Sequence, residues 1–148
     1  MNIPKKAILQ ILIGAVVISG SAFYAERLWN YESQCSAYEN TMIQQGNALL
    51  DGMERGLDKH IAITNTLDRI LNLPELIAIS VDVERILVES RETADEFEDY
   101  CGAERVDNFW RTDSRIDELR VRAEDIGARY RAVGLLPPVS QEIIDRYY

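Results

Sequence analysis

Apolar residues recur at helical spacing along most of this chain. After residue 27 they follow one another at steps of three and four, which places them on one face of a helix: Leu28, Tyr31, Cys35, Tyr38, Met42, Gln45 and Leu49. The stripe continues, slightly displaced, through Met53, Leu57, Ile61, Thr64, Leu67 and Leu71. The pattern predicts one long helix that extends to about Leu71.

Glycine and proline indicate where this helix bends or ends. Gly46, Gly52 and Gly56 each weaken a helix by up to about 1 kcal/mol, so a bend or a break there is an open alternative. Proline disfavours helix in the residue before it and fits the first turn of the next helix. We therefore expect the chain to turn at Asn72-Leu73-Pro74.

Two further helices follow. The second is predicted from Pro74 to about Tyr100, although the alternation from Ile77 to Val83 would also suit a short strand, for which no partner strand is evident. Gly102 would end this second helix, since glycine is common just after a helix C-terminus. The third is predicted from Ala103 to about Val133, and its apolar seam repeats every seven residues: Phe109, Ile116, Ala123 and Tyr130, with Leu119, Ile126 and Val133 between them.

Charged residues beside the seam suggest how these helices pair. Arg115, Arg122 and Arg129 recur at seven-residue spacing, and Glu89 and Glu96 flank the apolar face of the preceding helix. A fold-back at Gly102 would bring the acidic edge toward the basic one. The alternative is that both are solvated faces, since exposed pairs contribute only about 0 to 1 kcal/mol each.

The first 25 residues have a different character. Residues 7–25 contain no charge, and a helix of that length rises roughly 28 Å, close to the hydrocarbon thickness of a bilayer. Lys5 and Lys6 precede this segment, so the positive-inside rule predicts a cytoplasmic N-terminus and an exported remainder. Phe23, Tyr24 and Trp29 would lie at the outer interface. The alternative is a signal peptide cleaved near Gly20-Ser21-Ala22, which would export the same domain.

The net charge of the chain restricts the class of molecule that it is expected to bind. The chain has a net charge of -9, and residues 26–148 carry 14 basic and 25 acidic side chains, a balance of -11. Nucleic-acid binding needs clustered lysine and arginine, so we expect no nucleic-acid partner. The predicted partners are membrane lipid through residues 7–25 and either other membrane or envelope proteins or a second copy of the chain.

Cys35 and Cys101 are the two cysteines, and an exported location permits a disulfide. With a straight first helix and a turn at Leu73, their axial mismatch would be roughly 13 Å. A bridge spans about 4.4 to 6.8 Å between Cα atoms, so an internal disulfide would require a bend at the glycines. A bridge through Cys35 to a second copy and free buried thiols remain open.

Residue patterns typical of catalysis are missing or weak. His60 is the lone histidine, and a solvated helix histidine explains it better than a ligand does. The acidic run from Glu92 to Asp99 lacks calcium-loop spacing, so it predicts a solvated face. We expect no enzymatic activity, no cofactor, no metal site and no small-molecule substrate.

The sequence therefore predicts an all-α protein with four segments: residues 1–6 in the cytoplasm, a membrane anchor at 7–25, an extracytoplasmic domain of about three long helices at 26–133, and a tail at 134–148. A seam for helix packing is expected from Leu28, Tyr31, Tyr38, Met42, Leu49, Phe109, Ile116, Leu119, Ile126 and Tyr130. The favoured function is a non-catalytic accessory or scaffold subunit at the bacterial cytoplasmic membrane.

Two other functions stay open. An anchor followed by a helical periplasmic segment is similar to the layout of phage inner-membrane spanins, which couple the two membranes of the cell envelope. The stretch Leu73-Pro74-Glu75-Leu76-Ile77-Ala78 after a long membrane-proximal helix resembles the entry into periplasmic sensor domains of bacterial kinases. The first resemblance implies a lysis protein and the second a sensory module.

Overall fold

Four helices make up almost all of the described chain. The computed structural model describes the backbone of residues 5–63 and 66–135, and the side chains of residues 24–63 and 66–135. The helices are α1 (Lys5–Ala62), α2 (Thr66–Cys101), α3 (Ala103–Thr112) and α4 (Ser114–Ala132). No strand occurs in these ranges, so the predicted all-α class is confirmed. The predicted tail lies outside the described residues from Leu136 onward.

The chain divides into two compact units, residues 1–37 and 38–148. In the first unit the described side chains of Tyr24, Leu28 and Trp29 are exposed, whereas Tyr31 is half-buried and Cys35 is buried. The second unit contains the rest of α1 together with α2, α3 and α4, and the packing described below lies within it.

In the second unit α1 and α2 pack antiparallel with a constant register. The rings of Tyr38 and Phe97 stack at 5.9 Å, Gly52 faces Val83, and Gly56 faces Ile79. In each of these pairs the two residue numbers add up to 135. Residue n of α1 therefore lies beside residue 135 - n of α2.

The chain reverses before Asn72–Pro74, so the predicted turn is wrong. α1 ends at Ala62, α2 begins at Thr66, and Pro74 lies inside α2. Proline removes one hydrogen bond to the carbonyl four residues earlier, here that of Ile70. Ile70 is exposed, so water can satisfy this carbonyl in place of the missing N–H.

The first two turns of α2 extend past the end of α1. By the register above, Ala62 lies opposite residue 73, so residues 66–72 have no α1 residue beside them. Leu67, Ile70 and Leu71 lie in this overhang, and all three are exposed although they are apolar.

α1 is continuous through Gly46, Gly52 and Gly56, so the alternative of a helix break at these glycines is also wrong. Gly52 instead permits a close approach of two helices. A Cβ atom added to Gly52 would lie 2.8 Å from Cγ2 of Val83, which is closer than van der Waals contact allows. Gly52 therefore lowers the helix propensity of α1, but its missing side chain lets α1 and α2 pack closely.

The predicted third helix is divided at Asp113 into α3 and α4. Asp113 has an extended backbone, with φ -78° and ψ 116°, and its side chain accepts a hydrogen bond from the backbone N–H of Arg115 at 2.9 Å. The Arg115 guanidinium binds the same carboxylate, and this hydrogen bonding lowers the pKa of Asp113. The run Thr112-Asp113-Ser114 consists of residues that favour N-caps, which is the sequence signal for this break.

The core of the second unit is formed by all four helices, and α4 runs parallel to α1. Tyr130 near the end of α4 donates its hydroxyl to the carbonyl of Met53 at 2.9 Å, whereas Arg115 at the start of α4 reaches back to Asn40. The fold is therefore an up-down-up arrangement of α1, α2 and α4, with α3 in the connection. The buried apolar side chains are Met42, Leu49, Leu50, Met53, Leu57, Val83, Ile86, Phe97, Cys101, Phe109, Ile116, Leu119, Ala123, Ile126 and Tyr130.

We predict opposite effects of alanine at two glycines of α1. Gly52→Ala should lower the thermal midpoint because overpacking against Val83 costs about 1 to 3 kcal/mol, more than the gain of about 1 kcal/mol in helix propensity. Gly56→Ala meets its nearest atoms at 3.4 and 3.5 Å, so it should leave the midpoint unchanged or raise it. Thermal unfolding of the full chain, followed by circular dichroism, measures both. Equal shifts for the two variants would contradict the close packing at Gly52.

Candidate interaction surfaces

An ionic ladder joins one edge of α4 to α1. Arg122 binds the carboxylates of both Asp51 and Glu54. About two helical turns further along α4, Arg129 donates hydrogen bonds to Oδ1 of Asp58 at 2.7 Å and to Oε1 of Glu54 at 3.3 Å. The ladder therefore aligns α4 with α1 over residues 51–58.

The expected pairing of these arginines with α2 is wrong. Glu89 instead accepts a hydrogen bond from Arg85 of its own helix at 2.7 Å, and Glu96 is exposed. The acids that the arginines use, Asp51, Glu54 and Asp58, follow one another at steps of three and four. That spacing places them on one edge of a helix, and it is the sequence signal that could have identified the partner.

The ladder contributes to helix alignment more than to stability. The hydrogen bonds that Arg122 donates to the carboxylates of Glu54 and Asp51 raise the pKa of its guanidinium, so it is charged at every accessible pH. About a third of the Arg122 side chain is exposed, and solvent screens pairs of this kind. We therefore assign the ladder a structural role.

A small cavity lies between α1, α2 and the end of α4. Its volume is about 160 Å³, and it is lined by Gly52, Met53, Gly56, His60, Leu76, Ile79, Ser80, Val83, Tyr130 and Leu135. Burial raises the pKa of Tyr130, whose hydroxyl is already engaged with the Met53 carbonyl. Over the part of the chain that the structure describes, no group of three or more histidine, cysteine or acidic side chains is placed to hold a metal ion.

The N-terminal half of α2 exposes an apolar face. Leu67, Ile70, Leu71, Ile77 and Val81 are 65%, 63%, 69%, 54% and 59% exposed. At 100° per residue they fall on one side of the helix, together with the exposed small residues Pro74 and Ala78. We call these seven residues, Leu67, Ile70, Leu71, Pro74, Ile77, Ala78 and Val81, the α2 outer face.

The α2 outer face lies opposite the packed side of the helix. By the same angular arithmetic, the buried residues Val83, Ile86, Ser90 and Phe97 cluster on the far side, about 120° to 180° from the centre of the face. The α2 helix therefore has a packed side and, in its N-terminal half, an exposed apolar side that faces away from it.

The sequence patterns did not distinguish the exposed apolar side of α2 from its packed side. Leu67 and Leu71 were expected to continue the stripe of the first helix, and Ile77 and Val81 belonged to an alternation that also suits a strand. A helix that is apolar on opposite sides has little amphipathic asymmetry, so a search for one apolar stripe misses the second.

The residues of the expected packing seam have different environments. Met42, Leu49, Phe109, Ile116, Leu119, Ile126 and Tyr130 are buried, Tyr31 and Tyr38 are half-buried, and Leu28 is exposed. Tyr38 and Phe109 both contact Phe97, at ring-centroid distances of 5.9 and 5.7 Å, and so form an aromatic cluster near the start of α3.

The expected disulfide is confirmed, because neither cysteine is free and both Cys35 and Cys101 are disulfide-bonded. The axial mismatch expected between the two cysteines followed from placing the turn at Leu73. Because α1 ends at Ala62 instead, the disulfide needs no bend at Gly46, Gly52 or Gly56.

Among the residues that the structure describes, no helix combines the length and the apolar character needed to cross a membrane. The expected anchor at residues 7–25 lies almost wholly outside this part of the chain, since side chains are described only from Tyr24 onward. Lys5, Lys6 and Phe23, expected to flank that anchor, also lie outside it, whereas Tyr24 and Trp29 are exposed.

The chain matches no protein-family model, no curated protein and no solved structure.

We predict a coupling between Arg122 and Glu54 in a double-mutant cycle. Arg122→Ala and Glu54→Ala should each lower the free energy of unfolding, and the double variant should lose less than the sum by about 0.5 to 1 kcal/mol. The matched cycle of Arg122→Ala with Glu89→Ala should show no coupling. Chemical denaturation of the wild-type chain and the five variants measures both couplings, and equal coupling in the two cycles would contradict the observed ladder.

Proposed function

We propose that this protein is a membrane-anchored, non-catalytic accessory or scaffold subunit of a cell-envelope complex. Residues 7–25 hold it in the bacterial cytoplasmic membrane, and the helical domain lies on the extracytoplasmic side. The observation that carries the scaffold role is the α2 outer face, because a contiguous apolar surface rimmed by polar residues is typical of a protein–protein contact.

The disulfide supports the extracytoplasmic location. Disulfides persist in oxidising compartments and are rare in the bacterial cytosol. Cys35 is 0% and Cys101 6% exposed, so reductants have little access to either sulfur atom. The bond closes a loop of about 66 residues, which in the chain-entropy model stabilises the fold by roughly 4 kcal/mol.

Charge supports the same topology. The 19 residues from Ala7 to Ala25 carry no charge, the two lysines precede them, and all 25 acidic residues follow. The arrangement agrees with the positive-inside rule for a single span with its N-terminus in the cytoplasm.

The anchor and the topology are tested together in a bacterial host. We predict that the full chain with a C-terminal tag stays in the membrane after a carbonate wash, and that protease added to spheroplasts removes the tag. Val16→Arg with Val17→Arg should weaken membrane retention, because a charge near the centre of a span costs about 2.5 to 3.5 kcal/mol. Val16→Leu with Val17→Leu is the matched control.

Two results would overturn this assignment. One is recovery of the wild-type chain in the cytosolic fraction with both cysteines reduced. The other is release of a shortened chain, lacking about its first 22 residues, into the soluble extracytoplasmic fraction. Alkylation before and after reduction, read by mass spectrometry, distinguishes reduced cysteines from the disulfide.

A further inference from the structure

We infer that residues 136–148 of this chain pack on one flank of α2, beside the end of α4. The flank consists of residues that lie within about 60° of Leu73 around the helix axis: Ile70, Leu73, Leu76, Ile77 and Ser80. We call these five residues the α2 flank. The inference goes beyond the proposed function, because it concerns contacts within one chain and does not depend on the membrane anchor.

The end of α4 directs the chain onto the α2 flank. The backbone N–H of Leu135 donates to the carbonyl of Tyr130 at 3.0 Å, and Gly134 has a positive φ of 73°. This combination is typical of a Schellman motif, which ends a helix and turns the chain away from its axis. Leu135 then lines the small cavity together with Leu76 and Ser80. The chain therefore leaves the described domain beside the α2 flank.

The α2 flank is apolar and exposed next to this exit. Leu73 is 49%, Ile77 54% and Ile70 63% exposed. These residues follow one another at steps of three and four, the spacing of a stripe that a second helix can cover. Ile70 lies about 15 Å along the helix from Ser80. The 13 residues after Leu135 span up to about 40 Å when extended, so they reach the whole flank.

The sequence after the exit has the pattern of a short amphipathic helix. Pro137 and Pro138 favour an extended chain of about 3.1 Å per residue, which can follow the flank before a new helix begins. Ser140 is a preferred N-cap, and Val139 and Ile144 have the N′ and N4 spacing of a hydrophobic staple. At 100° per residue one half of such a helix is apolar: Val139, Ile143, Ile144, Tyr147 and Tyr148. This half offers an apolar side that suits the α2 flank.

Charge on the two segments is complementary. Arg69 is the one basic residue between positions 66 and 82, and it lies about 40° from Leu73, on the same side of α2. The segment after Leu135 carries the acidic residues Glu142 and Asp145 on the polar half of the expected helix. A docked segment would therefore bring opposite charges toward each other beside the apolar contact.

A small apolar contact suffices within one chain. A separate partner loses translational and rotational freedom when it binds, and that cost requires a large interface. A segment joined by a short linker has an effective concentration on the order of millimolar, so a few buried side chains can hold it. Docking would cover Ile70 and Ile77 of the α2 outer face, and it would leave Leu67, Leu71 and Val81 for a partner.

Alkylation of a single introduced thiol tests this contact in the full chain. Both native cysteines are disulfide-bonded, so a new thiol is the reactive one. Leu73→Cys places this thiol at the centre of the α2 flank. Its reaction with a water-soluble maleimide should be on the order of tenfold slower than that of Ala78→Cys, because a segment docked about nine-tenths of the time covers it. Ala78→Cys is the matched control, since Ala78 is exposed and lies about 140° away around the same helix.

Substitutions in residues 136–148 identify the covering segment. Ile143→Glu with Ile144→Glu should raise the alkylation rate at position 73 about tenfold and leave that at position 78 unchanged, because glutamate does not pack on an apolar flank. Gln141→Glu with Arg146→Glu adds two glutamates on the polar half and should leave both rates unchanged. Ile77→Cys is a second reporter on the flank, used if circular dichroism shows that Leu73→Cys does not fold.

Three results would overturn the inference. Equal alkylation rates at positions 73 and 78 would mean that nothing covers the α2 flank. A slow rate at position 73 that persists with Ile143→Glu and Ile144→Glu would mean that a different segment or molecule covers it. A slow rate that is lost on dilution would mean that the covering segment belongs to a second copy. None of these results bears on the membrane anchor, which the fractionation described above tests separately.

Discussion

The antiparallel packing of α1 on α2 determines the other features of the domain. Because residue n of α1 lies beside residue 135 - n of α2, the glycines of α1 face Val83 and Ile79, and the aromatic ring of Tyr38 faces Phe97. The same register leaves the first two turns of α2 beyond the end of α1. The exposed apolar face of α2 therefore comprises two parts: residues in these first turns, and Ile77 and Val81, which point away from α1 although α1 residues lie beside them.

Periodicity in the sequence predicted the helical class and most of the helix-forming residues. It predicted neither the turn nor the division at Asp113, for two physical reasons. Proline can remain inside a helix where water reaches the carbonyl that loses its partner, as at Ile70. A seven-residue apolar repeat can also continue across a capping residue, because Phe109 and Ile116 are both buried on either side of Asp113.

The partners of the arginines and the α2 outer face depend on three-dimensional information that spacing alone does not carry. Arg122 has acidic edges available on both neighbouring helices, and the direction in which the chain folds back decides that it pairs with Asp51 and Glu54. The apolar side chains of α2 are visible in the sequence. Which of them remain exposed depends on where α1 ends and on which side of α2 packs against it.

Acidic and apolar side chains are exposed in different halves of α2, so the two halves differ in how they can contact another molecule. The half that begins at Thr66 exposes apolar side chains, and the half that ends at Cys101 exposes acids. Charge of one sign keeps molecules apart over the Debye length of about 8 Å, whereas apolar contact acts only at the surface. A protein built in this way can associate at one end of α2 while its other end stays solvated.

Gly52 and Gly56 of α1 also bear on which alignments the hairpin permits. Gly52 and Gly56 are one helical turn apart, so a hairpin displaced by four residues would present Gly56 to Val83 and still accommodate the valine. The backbone clearance at these glycines therefore permits two alignments of the same helices. The disulfide between Cys35 and Cys101 opposes such a displacement, because four residues correspond to about 6 Å along the helix axis and a bridge tolerates only a narrow range of Cα separations.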